Sequence, residues 1–177
     1  RLRSSHASEE SIAEACGFTK ASLYHYFDGK DSILLALLTR HIKSLDIGSK
    51  SVWNAKSLQA ALEAVAAEYF HITQQTHAHE VLAILLSESG KHKEVGDFLW
   101  QLIERYETDF LEGAVGHGLV QPEEEEKLKM ILYPFFGSLF RYNMDKAFFG
   151  KSMVKLSQER YGRYVAALTA AMKTAAK

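Results

Sequence analysis

Lys20, Ser22, Tyr24 and His25 lie within one short stretch and bring together an ammonium, two hydroxyls and an imidazole. On a helix, Leu23 and Phe27 are four apart and face inward, which leaves those polar groups on the opposite surface. Such a surface can donate to and accept from base edges in a major groove and the phosphates beside it. A second candidate is His71, His77 and His79 with Glu68 and Glu80, which are metal-ligand types. Glu68 and His71 have the Glu-x-x-His spacing of helical di-metal sites, but such a site needs the motif twice and the second copy is missing. Glu123 to Glu126 offer four carboxylates, yet consecutive residues point in different directions around a helix. Following Pro122, they read as a helix start rather than an opposed acid-base pair. Cys16 has no local His and Asp beside it and is expected on an apolar face, as core rather than nucleophile. The sequence therefore implies no enzyme, no cofactor and no resident metal.

The elements that must position the first group are short. Ser8 can cap a first helix, with Glu9 and Glu10 near its positive end and Ile12, Ala13 and Cys16 on one face. Gly17 then makes the turn, Phe18 supplies an apolar plug, and Thr19 caps a second helix from Lys20. Asp28, Gly29, Lys30 and Asp31 form the next turn. Asp31 is expected to cap a long helix whose N-terminus, with Lys30, suits a backbone phosphate. Apolar residues recur at three and four positions along the whole chain, so an all-α fold is expected, with helices near 8–16, 20–26, 31–46, 57–75, 78–89, 92–117, 122–148 and 152–176. The contrast in helix length divides the chain into a recognition module over 1–48 and a helical body over 49–177.

Bulk properties narrow the class. The 177 residues are 47% hydrophobic and 24% charged with two prolines, sufficient for a substantial core and unlike a disordered chain. One cysteine excludes a disulfide scaffold. No apolar run reaches the roughly 20 residues that span a bilayer, and no secretory pattern opens the chain, so a soluble cytoplasmic protein without a membrane partner is expected. The net charge of -1 divides unevenly, at +1 over 1–50, -10 over 51–126 and +8 over 127–177. A large nonspecific nucleic-acid footprint is disfavoured, whereas a small local contact is not.

The run from Ile12 to Leu34, with Gly17-Phe18-Thr19-Lys20-Ala21-Ser22-Leu23-Tyr24-His25-Tyr26-Phe27 at its centre, resembles the DNA-binding signature of the TetR family of bacterial transcriptional regulators. The resemblance covers about residues 8–38 and is one of helical layout beyond them. It implies a helix-turn-helix domain joined to a helical effector-binding and dimerisation domain, in a homodimer that binds palindromic double-stranded operator DNA, with repression the expected sign. By position, Thr19, Lys20, Ala21, Ser22, Tyr24, His25 and Lys30 are the DNA-binding residues that it implies. Ala21 stands where the family often has glycine, and its methyl group could meet a thymine methyl. The family also has a full amphipathic helix ahead of these two, whereas Arg1 to Ala7 alone precede Ser8. The first helix is thus expected to be missing from this sequence, leaving Ile12, Leu23 and Phe27 poorly covered.

In the body, aromatic and imidazole groups that need polar partners when buried suit the wall of a mostly apolar cavity. Phe70, His71, Trp100, Tyr106, Tyr133 and Phe136 are the candidate contacts for a small, partly apolar effector. The last two helices carry broad apolar stripes, and Ile131, Phe135, Leu139, Tyr161, Tyr164, Val165, Leu168 and Met172 are the expected dimer interface. Two other readings remain at this point: a small helical enzyme or metal-binding bundle built on His71, His77 and His79, and a dimeric helical adaptor for another protein.

Overall fold

A computed structural model describes residues 8–43, 51–75, 78–150 and 158–174, and its described elements are helical. They are α1 (Glu9–Ala15), α2 (Lys20–Tyr26), α3 (Lys30–Lys43), α4 (Leu58–Gln75), α5 (Ala78–Ser89), α6 (Lys93–Gly116), α7 (Glu125–Phe149) and α8 (Gln158–Thr174). Short 3-10 turns at Val52–Asn54 and Pro122–Glu124 precede α4 and α7. The expected module boundary falls in 44–50, outside the described residues, as does His77.

The local signals act as their chemistry requires. Ser8 Oγ accepts from the Ser11 N–H at 3.2 Å, and Thr19 Oγ1 accepts from the Ser22 N–H at 3.1 Å, so each hydroxyl satisfies a donor that its helix leaves unpaired. Gly17 adopts φ of 73°, which lets the Phe18 N–H reach back to the Ala13 carbonyl at 2.8 Å and close α1. At α7, Pro122 opens the turn and the Gln121 N–H donates to the Glu124 carboxylate at 3.4 Å, which accounts for the acidic run as a cap.

Three apolar clusters hold the molecule. In the smallest, Ala13, Leu23 and Ile33 are buried together, with Ile12 and Phe27 against them, and they tie α1, α2 and α3 into one module. A second joins Leu38 of α3 to Leu82 and Leu85 of α5 and Val95 and Leu99 of α6. The largest lies among α4, α6, α7 and α8, centred on Leu62, Val65, Leu128, Leu132, Phe135 and Val165. Here α5 packs on α6 and α7, while α8 packs on α4 and α7. Trp53 closes one end of this core against α6, stacked on His117 with ring centres 5.2 Å apart and lying against Phe110. Gly113 makes room for it, since a Cβ there would fall 2.2 Å from Trp53 Cζ2.

Several expectations need correction. Cys16 is exposed at the end of α1, and Phe18, the expected plug, is 55% exposed, because the Gly17 turn is closed by backbone hydrogen bonds rather than by an apolar anchor. Leu23 is buried by Ala13 and Ile33, so α3 supplies cover that two helices alone would lack. Asp31 does not cap α3, which already begins at Lys30. The expected dimer stripe is also largely intrachain. Ile131, Phe135, Leu139, Tyr161, Val165 and Met172 are buried within one chain, and Tyr164 and Leu168 are half-buried against the same core. A side chain already covered by its own chain cannot form the surface offered to a partner. Among the residues that α7 and α8 do expose are Met130, Tyr133, Gly137 and Arg141 on one helix and Arg163, Ala167 and Ala170 on the other.

Candidate nucleic-acid interface and effector cavity

The interface is built on α2, whose single buried residue, Leu23, anchors the helix and turns its other face outward. Thr19, Lys20, Ala21, Tyr24 and His25 are exposed on it, with Ser22 half-buried beside the Thr19 cap. Lys30 is half-buried at the start of α3. Tyr26 is 72% exposed, so it does not support the module core.

The electrostatics of this face involve α1 as well. Lys20 Nζ hydrogen-bonds Glu10 and lies 3.8 Å from Glu9, while the Tyr24 hydroxyl donates to Glu9. The ammonium also sits 5.8 Å from the centre of the Tyr24 ring. The hydrogen bond from Lys20 holds the Glu10 carboxyl below the usual carboxylate range, and the same bond raises the lysine. The bond to Glu9 raises the Tyr24 phenol. All three groups are solvent-exposed, so water screens these effects. Chemically, the surface offers a cation and two hydroxyl types to an anionic polymer, with two carboxylates competing for them. Spacing alone could not reveal that competition, because Glu10 and Lys20 meet only after the Gly17 turn folds α2 back over α1.

A second contact links this module to the body. Asp31, in the first turn of α3, places Oδ2 2.6 Å from His92 Nδ1, and His92 Nε2 lies 3.6 Å from Glu88 at the end of α5. With Leu38 in the cluster shared by α5 and α6, α3 is fastened to the body at two levels.

Between α5, α6 and α7 lies a cavity of about 350 Å³. Val81, Leu82 and Leu85 line one side, Leu99, Trp100 and Ile103 another, and Phe136, Leu139 and Phe140 a third, with Tyr69 and Asn143 at its polar end. Trp100, 69% exposed, and Tyr133, 76% exposed, stand where the wall meets solvent. Of the expected contacts, Trp100, Tyr106, Tyr133 and Phe136 are among the wall residues and two are not. Phe70 packs its ring edgewise on Tyr142 and Tyr161 inside the main core, and His71 is exposed. The helical spacing that joins Phe70 and His71 to the aromatic series cannot distinguish a core-facing position from a cavity-facing one.

The polar end was not legible in the sequence. The buried Tyr69 hydroxyl donates to the Leu139 carbonyl at 3.0 Å and accepts from Asn143 Nδ2. Asn143 is 5% exposed and its Oδ1 has no hydrogen-bond partner among the described residues. Glu107 is the one charged side chain among the described wall residues, and burial, followed by repulsion from Glu104, raises its carboxyl. Among the described residues no group of three His, Cys, Asp or Glu side chains gathers to hold a metal, and no helix is long and apolar enough to cross a membrane.

An outward short helix on a three-helix module, carried by a helical body, is the architecture of a helix-turn-helix regulator. Residues 6–37 match the family model of the bacterial regulatory proteins, tetR family, so this N-terminal region is similar to the DNA-binding region of that family. The match takes in α1, α2 and the first half of α3, and the all-helical chain with its larger C-terminal bundle agrees with a TetR-type fold. Comparison with curated proteins and with solved structures gives no match.

Proposed function

We propose that this chain is a ligand-responsive transcriptional repressor that binds a palindromic operator as a homodimer. The observation that carries the reading is a set of shared side chains. Leu82, Leu85 and Leu99 line the cavity and also pack in the cluster that holds Leu38 of α3. The same α3 holds the recognition module through Ile33 against Ala13 and Leu23. A molecule that spreads the cavity wall therefore pushes on the helix that carries α2.

In this reading Lys20, Ala21, Ser22, Tyr24 and His25 meet base edges and flanking phosphates, with Thr19 and Lys30 at the ends of the contact. Two copies of α2 must reach successive major grooves, about 34 to 36 Å apart, so a small rotation of the module misaligns both. The dimer contact is formed by the outer faces of α7 and α8, with Met130, Tyr133, Gly137, Arg163, Ala167 and Ala170, in place of the stripe buried within each chain. The effector favours the arrangement that fits DNA poorly, and by linkage operator DNA weakens effector binding by the same factor. Selection of bound duplexes from a random pool tests the reading. A recovered palindrome, whose binding is lost on Lys20→Ala or Tyr24→Ala while the oligomeric state persists, supports it; recovery of no preferred sequence refutes it.

A further inference from the structure

The walls of the cavity also specify what kind of molecule it takes, an inference that rests on the effector reading above. The Tyr69 hydroxyl has one proton and commits it to the Leu139 carbonyl, so towards Asn143 it can only accept. In this arrangement Nδ2 faces Tyr69, and Oδ1 is left as a buried acceptor at the cavity wall with no partner among the described residues. A buried acceptor without a donor is costly, and a ligand that supplies the donor recovers that cost. The wall has no lysine, arginine or histidine among its described residues, and its one ionisable acid is Glu107. An anionic headgroup would be desolvated there without a counter-charge, next to a carboxylate. Six aromatic side chains, Tyr69, Trp100, Tyr106, Tyr133, Phe136 and Phe140, line the cavity, and aromatic rings attract a cation.

We propose that the effector is a lipophilic amine: an apolar body of a size to fit about 350 Å³ whose ammonium donates to Asn143 Oδ1 and is balanced by Glu107. The matching alcohol binds more weakly, since it satisfies Asn143 but not Glu107. The matching carboxylate is rejected.

The test uses the full chain and three probes on one skeleton, 1-naphthylmethylamine, 1-naphthylmethanol and 1-naphthoate, with affinities from titration calorimetry. The expected order is amine, then alcohol, then naphthoate, with at least about a tenfold gap between the first and the last. Glu107→Gln lowers amine affinity and leaves the alcohol unchanged; Asn143→Leu lowers both by about tenfold. Binding of naphthoate as tightly as the amine, no binding by any probe, or amine affinity indifferent to Glu107→Gln overturns the proposal. Should Asn143→Leu fail to fold, the probe series and the half-buried Glu107→Gln variant still decide. Amine binding that leaves duplex affinity unchanged would sustain this inference and defeat the effector reading. Palindrome binding by a chain that prefers naphthoate would do the opposite.

Discussion

Replacing Glu10 by Gln should tighten DNA binding, which is the reverse of what loss of a polar residue from a recognition module ordinarily does. In the free chain the Lys20 ammonium is held by Glu10 and lies 3.8 Å from Glu9, with its side chain 45% exposed. A phosphate can recruit that ammonium only by displacing a carboxylate. An exposed pair of this kind resists displacement by a factor of at most about five. Removing one negative charge from a surface that faces phosphates adds a further attraction, which falls off over about 10 Å at 0.1 M salt. Together these predict about a three- to tenfold gain in affinity at low salt, shrinking as salt rises. Fluorescence anisotropy with a selected duplex measures it. Glu126→Gln serves as the control, because it removes an equal charge from a pair with Lys129 at the start of α7, in the body. Equal or weaker binding by the Glu10 variant, or an equal gain in the control, would refute the argument that α1 masks α2.

Other consequences follow from single contacts. Gly113→Ala should destabilise the body by about 1 to 3 kcal/mol, because the new methyl overlaps Trp53, which is itself hemmed in by Phe110 and His117; a thermal melt equal to wild type would contradict the packing. Burial raises the Tyr69 and Tyr161 phenols in the folded chain, whereas unfolded tyrosine ionises near pH 10. The folded state then keeps protons that the unfolded chain releases, so stability is full below about pH 10 and falls as pH rises beyond it. Melting temperatures that stay level from pH 9 to about 11 would count against this. Asp31→Asn should weaken the tie to His92, so that ligand still binds the cavity but its effect on duplex affinity is reduced. An undiminished effect would place the coupling in the Leu38 cluster alone.

How far the sequence could be read depended on the distance between the groups that act together. The caps at Ser8 and Thr19, the Gly17 turn and the Pro122 helix start are local chemistry, and they lie in the structure where the residues imply them. The helical periods likewise located all eight helices of the described residues, with edges differing by a few positions. Periodicity shows that a helix has an apolar stripe but not what covers it. This is why Phe135 and Val165 read as a partner-facing surface and are instead wholly buried within the chain. Phe70 was misplaced for the same reason. Contacts between distant residues had no signal at all: Glu10 with Lys20 and Tyr69 with Asn143 pair side chains from different helices, and Asp31 of α3 meets His92 in the turn before α6. Lone carboxylates and amides of these types are ordinary surface residues until tertiary packing brings their partners within reach.

The most direct test of the central claim is the salt dependence of binding to a selected duplex by the wild-type chain and by Lys20→Ala. If α2 lies in the groove with Lys20 against the backbone, the wild type prefers that duplex to a scrambled one, and the logarithmic salt slope falls by about 0.9 for each phosphate contact removed. A wild-type chain that binds both duplexes alike, or a slope that the substitution leaves untouched, would contradict it.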